Sequence, residues 1–235
     1  MVSVSVVIPT YNEAKRVEKT IGTIGHFLTR KKANYEIVVV DDGSTDGTLN
    51  VVRKLQENRV KTLSNRENRG KGHSVKRGVF ASAKPWILVT DADLSTPIEE
   101  LEKFIPHTDH DVLVGSRALP ASQVIVRQPF YRDYGGKLFN MFVQAVTLPG
   151  IKDTQCGFKL FRADAARKIF EKHTIDRFGF DVEALYLARK YGFRMKELPV
   201  VWKNDPETRV SLLRDPIPMF FDAVRVRLND LRGLY

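Results

Sequence analysis

The chain has a single cysteine, Cys156, in 235 residues. It can form no internal disulfide, and this usage fits a reducing compartment. With five scattered histidines beside that one thiol, a structural zinc site is implausible as well. Long apolar runs are missing too. The longest uncharged stretch, 138–151, ends in Pro149-Gly150 and falls short of the roughly 20 residues a membrane-spanning helix needs. No secretory leader is read, because Met1-Val2-Ser3 passes directly into a predicted strand. Low-complexity segments, internal repeats and linkers are absent. The first strand is not followed by a glycine-rich turn, which disfavours a dinucleotide-binding dehydrogenase.

What the chain does have is enough apolar content, 43%, for a substantial core, and a formal net charge of +10. The charge implies an anionic partner: nucleic acid, a phosphorylated metabolite or lipid headgroups. A nucleic-acid-binding protein is the reading from charge alone, but no helix-turn-helix, zinc-finger or aromatic-rich RNA-binding motif accompanies it. The basic residues are densest between Arg53 and Arg77, where a solvated basic face is the simplest explanation.

Val4-Ser5-Val6-Val7-Ile8, bounded by Pro9, reads as a buried parallel strand. Helix is predicted over 13–28, strand over 36–40, helix over 45–56, strand over 60–63 and helix over 72–83. Strands follow at 86–90 and 112–115. This alternation predicts an α/β fold, a mostly parallel sheet flanked by helices. Beyond Leu119 the alternation changes: helix over 128–147, strand over 158–161, helices over 163–172 and 181–191, and a last strand over 196–202. The stretch 216–231 is amphipathic, with Ile217, Phe220, Phe221, Val224, Leu228 and Leu231 predicted on one face. It reads as a helix docked on the core or lying at a membrane surface. The whole, 1–235, reads as one domain, with 1–118 and 119–235 as its two parts.

Polar chemistry follows several strands: Thr10-Tyr11-Asn12-Glu13, then Asp41-Asp42-Gly43-Ser44, then Asp91-Ala92-Asp93. Strand ends of an open α/β sheet are where ligands bind. Asp91 and Asp93 close an apolar strand and repel one another unless a cation lies between them. Magnesium or manganese with phosphate ligands suits such a pair; a helix N-cap at Asp93 or Ser95 is the competing reading. Cys156 reads as a packing residue.

Together, Val7-Ile8-Pro9-Thr10-Tyr11-Asn12-Glu13, Val39-Val40-Asp41-Asp42-Gly43-Ser44-Thr45-Asp46-Gly47-Thr48 and Asp91-Ala92-Asp93 resemble the family-two glycosyltransferases of the GT-A fold. Asn68-Arg69-Gly70-Lys71-Gly72, Gly115-Ser116-Arg117, Asp153-Thr154-Gln155-Cys156-Gly157-Phe158-Lys159 and Phe180-Asp181-Val182-Glu183 resemble the polyprenyl-phosphate hexosyltransferases among them. Val210-Ser211-Leu212-Leu213-Arg214 and Arg225-Val226-Arg227-Leu228 most resemble the dolichyl-phosphate β-glucosyltransferase branch. Where mannosyl-transferring relatives commonly have Gln, this chain has Ser95, which favours the glucosyl branch.

The resemblance implies a metal-dependent hexosyltransferase. Its donor would be a nucleotide sugar, UDP-glucose or alternatively GDP-mannose, and its acceptor dolichyl (polyprenyl) phosphate. It implies a divalent metal, Mg2+ or Mn2+, coordinated by Asp93, with Asp91 at the metal or ribose beside Ala92. Pro9, Tyr11, Glu13 and Asp42 would read the base. Lys71 would contact the nucleotide or sugar, and Arg209 would fold over the diphosphate. Arg117 and Arg132 would hold the acceptor phosphate, with Asp153 and Gln155 bordering the sugar and Asp181 and Glu183 supporting the cavity. No nucleic acid would be bound. Apolar residues around Arg127, Arg132 and Lys137 suit a helix at a bilayer surface, so the expected location is peripheral, on the cytoplasmic face of a membrane.

Overall fold

The computed structural model describes residues 2–55, 59–126, 130–204 and 216–235, with backbone alone at 130–133, 216 and 217. Strand and helix alternate first: β1 (Ser3–Thr10), α1 (Val17–Arg30), β2 (Asn34–Asp41), α2 (Thr48–Lys54), β3 (Val60–Ser64), α3 (Lys71–Ala81) and β4 (Trp86–Val89). Two 3-10 turns flank α4 (Leu101–Phe104) before β5 (Val112–Ser116). Then come β6 (Gln123–Val126), α5 (Phe130–Val146), β7 (Lys159–Arg162), α6 (Ala163–Lys172), α7 (Phe180–Lys190), β8 (Met195–Pro199), β9 (Val201–Lys203) and α8 (Pro216–Leu231).

Seven strands form one sheet in the order β3-β2-β1-β4-β7-β5-β8, and β6 pairs with β9 apart from it. Side-chain alternation splits the core into two layers. Val4, Val6 and Ile8 of β1 pack with Ile21, Ile24 and Phe27 of α1, while Val7 points to the opposite layer with Val75 and Val79 of α3. Full burial of each such side chain contributes about 1.5–3 kcal/mol, so strands apolar on both faces belong in the middle of the sheet.

The topology places the ends that matter together. β2, β1 and β4 run parallel, with Thr10 opposite Asp41 and Val7 opposite Val89. β7 is antiparallel to both β4 and β5, so β5 points the same way as β4. The segments after β1, β2, β4 and β5 therefore leave from one edge. The antiparallel β7 was not evident from the alternation, because its apolar Leu160-Phe161 suits either direction.

Several expected boundaries move. α1 begins at Val17, since the Glu13 carbonyl first accepts the Arg16 and Val17 amides in a turn. α2 begins at Thr48, whose amide and hydroxyl both donate to Asp46; the predicted end at 56 lies outside the described residues. The expected strand 196–202 is two strands. At Val200 the chain leaves β8, its amide donating to the Ser116 carbonyl and its carbonyl accepting the Gln123 amide. β6 was not expected as a strand. The apolar face predicted for 216–231 is divided: Ala223 and Val226 are buried and Phe220 packs on Phe139 and Phe142 of α5, while Phe221, Val224, Leu228 and Leu231 are exposed.

One buried carboxylate ties β1, β2 and the approach to β4. Glu36 accepts from Ser5 Oγ at 2.6 Å and the Ala83 amide at 2.6 Å, and pairs with Lys61 Nζ at 2.6 Å. Burial would raise its pKa, but these three donors hold it below its ordinary 4.5. A depressed carboxyl pKa lends stability above the unfolded-state value and loses it as pH falls through the folded-state value. Glu36→Gln should therefore cost about 1–2 kcal/mol at pH 7, with the difference from wild type vanishing as pH drops well below 4.5. Urea unfolding of both proteins across that range measures it.

Candidate active site

The site is built on that common edge. After β1, the Asn12 amide donates to Ser44 Oγ at 2.9 Å, the Thr45 amide to Asn12 Oδ1 at 2.8 Å, and the Glu13 amide to Thr48 Oγ1 at 2.8 Å. The segments following β1 and β2 are thus zipped together. Tyr11 is exposed, Pro9 half-buried, and Glu13 pairs with Arg16 at 2.7 Å. Asp42 is buried and its carboxylate is used internally. One oxygen accepts from Asn65 Nδ2 (2.6 Å) and the Arg69 amide (3.0 Å), the other from the Gly70 amide (2.8 Å). It thereby shapes the loop leading into Lys71. Gly43 lies beneath that loop at φ +72°, where a Cβ would come within 2.6 Å of the Glu67 carbonyl carbon.

Lys71 opens α3 and points at the end of β4, its Nζ 2.5 Å from Asp91 Oδ1. Burial alone would lower the lysine pKa, but the charges of Asp91 and Asp181 outweigh it and hold the ammonium well above its usual range. Burial likewise would raise Asp91, and Lys71 reverses the shift, so Asp91 stays ionised. Asp93 differs. Burial and then the charge of Asp91 push its pKa up, only partly offset by the Ser95 amide donating at 2.8 Å. Between them, Ala92 is buried and its carbonyl accepts Thr20 Oγ1 at 2.5 Å. The Ser95 contact is a local Asx turn; the helical turn that follows starts at Ile98 behind Pro97 with no side-chain cap, so neither Asp93 nor Ser95 serves as the helix cap.

Arg117 follows β5. Its Nε and Nη2 grip Asp153 at 2.7 and 2.9 Å, and its amide donates to the same carboxylate at 2.9 Å. The guanidinium also stacks over Trp202, 5.3 Å from the ring centroid. Burial would lower its pKa, but Asp153 holds it above its ordinary value, so the arginine is a permanent cation. Among the described residues, three of its five N–H donors have no hydrogen-bond partner. Asp153 is itself oriented by Glu197, which accepts the Lys152 and Asp153 amides at 2.9 Å. The half-buried Gln155 donates its amide to Asp153 at 3.2 Å.

Beneath these groups, Lys159 is buried and donates to Asp181 Oδ1 and to the Cys156 carbonyl, each at 2.5 Å. This fixes the turn holding Gly157, where any Cβ would overlap the Asp91 carboxylate. Cys156 is buried and its thiol pKa raised, first by burial, which makes it an inert packing residue as expected. Sequence reasoning missed Trp202 and Lys159. A tryptophan in an apolar strand carries no signal, and Lys159, though it closes the string 153–159, has no role until the fold sets it against Asp181.

Glu183 does not face this cluster; its carboxylate accepts from Thr174 and Ile175 behind α7. Arg132 belongs to the first turn of α5, with its side chain outside the description. Arg209, Arg127 and the 210–214 segment lie outside the described residues. Among the described residues, no group of three or more His, Cys, Asp or Glu side chains is arranged to hold a metal. What is present is a pair of carboxylates, one with its pKa raised by burial and by the charge of the other. Such hard oxygen donors fit a magnesium or manganese ion that draws its other ligands from a diphosphate and water.

Lys71→Met should remove the counter-charge of Asp91 and lower stability by about 1–2 kcal/mol, less than for a fully buried pair because Asp91 keeps 34% of its side-chain exposure. Manganese should then raise the melting temperature of the variant more than that of wild type. Thermal unfolding with and without the ion measures both.

The profile of glycosyl transferase family 2 matches residues 5–170. A dolichyl-phosphate beta-glucosyltransferase of Dictyostelium discoideum is 36% identical over 247 residues, 98% of this chain and 76% of that protein. The Homo sapiens protein of the same name is 32% identical over 98% of this chain and 76% of its own length. Among solved structures, glucosyl-3-phosphoglycerate synthase from Mycobacterium tuberculosis, in complex with Mn2+ and UDP-glucose, superposes with a TM-score of 0.68 at 15% identity, over 97% of this chain and 78% of that one. The fold is that of the GT-A glycosyltransferases, with a mostly parallel sheet between helical layers. With its acidic pair at the end of β4 and its family profile spanning most of the residues, this chain belongs to the family-two glycosyltransferases.

Proposed function

We propose that this enzyme transfers glucose from UDP-glucose to dolichyl phosphate, inverting the anomeric carbon to give dolichyl β-D-glucosyl phosphate. The sugar and acceptor are supported by relatives of that name matched over 98% of the chain. The single observation behind the reaction class is the arginine fork of Arg117 on the same sheet edge as the Asp91 and Asp93 carboxylates.

A phosphate monoester has a second pKa of about 6 and is mostly dianionic at neutral pH. Such an acceptor needs no base to remove a proton; it needs to be held in line. Arg117, braced by Asp153 and Trp202, presents its free N–H groups to the phosphate, with Arg132 as its partner on α5. On the donor side, Pro9, Tyr11 and Glu13 border the base, and Asp42 acts through the loop it shapes. Lys71 faces the diphosphate, Arg209, outside the described residues, is assigned to it by the family resemblance, and Asp153 and Gln155 border the sugar. A divalent cation, Mg2+ or Mn2+, held by Asp91 and Asp93 would supply Lewis-acid stabilisation of the departing diphosphate.

We read 1–235 as one glycosyltransferase domain with a donor part, 1–118, and an acceptor part, 119–235. Among the described residues no helix is long and apolar enough to cross a membrane. Exposed apolar side chains gather in the second part: Ile125 and Val126 on β6, Leu138 and Met141 on α5, Phe221 and Leu231 on α8. This favours a peripheral enzyme that meets its lipid on the cytoplasmic face of a membrane.

Three measurements test the reading. Purified protein with dolichyl phosphate and manganese or magnesium should transfer glucose from UDP-glucose. Preference for GDP-mannose would replace the sugar assignment, and transfer to neither would reject the reaction. Asp93→Asn should lower kcat by about 10²–10³-fold with the fold kept. Arg117→Lys, which retains charge but loses the fork, should raise KM for the lipid phosphate at least tenfold and leave UDP affinity unchanged. An unaltered acceptor dependence would take Arg117 out of that site.

A further inference from the structure

Lys71 lies between two glycines that have no room for side chains. A Cβ on Gly70 would overlap the Asp176 carbonyl oxygen, and one on Gly72 the Ile175 carbonyl oxygen. The His73 amide donates to the same Asp176 carbonyl at 3.1 Å. The first turn of α3 is therefore seated directly on the backbone of 175–176, and the place of Lys71 Nζ over Asp91 depends on where that backbone lies.

The backbone in turn hangs on one carboxylate. Glu183 of α7 is fully buried. Its Oε2 accepts the Thr174 amide at 2.9 Å and the Ile175 amide at 2.8 Å, and its Oε1 accepts Thr174 Oγ1 at 2.7 Å and the Tyr235 hydroxyl. His173 Nε2 stands 3.2 Å from Oε2. Asn229 of α8 donates to Thr174 Oγ1 at 3.3 Å and to the Tyr235 oxygen at 3.1 Å. Lys76, one turn beyond His73, returns the contact by donating to the His173 carbonyl at 2.8 Å. Burial and the neighbouring carboxylate hold the Tyr235 phenol well above its usual pKa, so it remains a donor. Burying a carboxylate this completely is costly unless donors surround it. Apolar packing would hold α7 to α8 more simply. What an apolar contact cannot do is fix two successive amides, and those amides precede the carbonyls on which Gly70 and Gly72 rest.

We propose that Glu183, with the Tyr235 hydroxyl, is a positioning residue that holds 173–176 against the first turn of α3 and so sets Lys71 on Asp91. This rests on the reading that Lys71 faces the donor diphosphate. It makes donor binding sensitive to the seat of α8, more than one helix away from the diphosphate.

Tyr235→Phe removes one donor and keeps the ring. It should speed amide exchange at Thr174, Ile175 and His73 by on the order of 3- to 10-fold, the equivalent of one hydrogen bond, while β1 amides stay unchanged. It should weaken manganese–UDP affinity by a similar factor, and should have no such effect when Lys71→Met is already present. Glu183→Gln should act in the same direction and further; if it does not fold, Tyr235→Phe alone decides. A purely structural role predicts a lower melting temperature with His73 exchange unmoved, or an affinity loss that persists in the Lys71→Met background, and either result overturns the proposal. If wild type binds no UDP, the donor reading fails, and the exchange measurement still decides the positioning role.

Discussion

The mutual repulsion of Asp91 and Asp93 is the constraint to which the other site groups respond. Two carboxylates leave the end of one buried strand with a single residue between them. Lys71 pairs with the first, while burial and then the charge of Asp91 push the pKa of Asp93 up. Gly157 lets the opposing turn come against the Asp91 carboxylate, and the buried Lys159–Asp181 pair holds that turn in place. The arrangement is poised for a cation with anionic ligands of its own, which is what a nucleotide diphosphate would bring in the proposed reaction.

Several carboxylates near the site hold other protein groups in place. Asp42 gathers Asn65 and the amides of Arg69 and Gly70, Asp153 grips Arg117, Glu197 orients Asp153, and Glu183 fastens 174–175. Each is nearly saturated with N–H or O–H donors. The division follows from electrostatics: a carboxylate surrounded by donors is stabilised as an anion and has little capacity left, whereas one facing another carboxylate needs a new partner. By that criterion Asp93 is the half-buried, open end of the network, and Arg117 is its cationic counterpart.

Much of the fold was legible because buried parallel strands leave a plain signal. Val4 to Ile8, Ile37 to Val40 and Ile87 to Val89 are apolar on both faces and end in polar strings, which predicts both their depth and the edge at which ligands would gather. The antiparallel β7 and the β6–β9 pair were not legible, since strand direction and partner choice leave no periodic trace in four residues. The same limit applies to α8. Its apolar residues were assigned to one face, but its contacts with α5 and α7 bury Ala223 and Val226 and leave Phe221 and Leu231 outward. A small alanine marks the close approach of helices better than the large residues do.

The sequence by itself determined the α/β class, the acidic pair at a strand end and the family, because these depend on local pattern and on short strings whose spacing reflects one backbone turn. Tertiary structure alone decided how those strings are used. It assigned Asp42 and Glu183 to holding loops, placed Trp202 under Arg117, and set Lys71 between Asp91 and the backbone of 175–176. These pairings join residues tens of positions apart. Their energies depend on distance and burial, quantities that exist only once the chain has closed on itself.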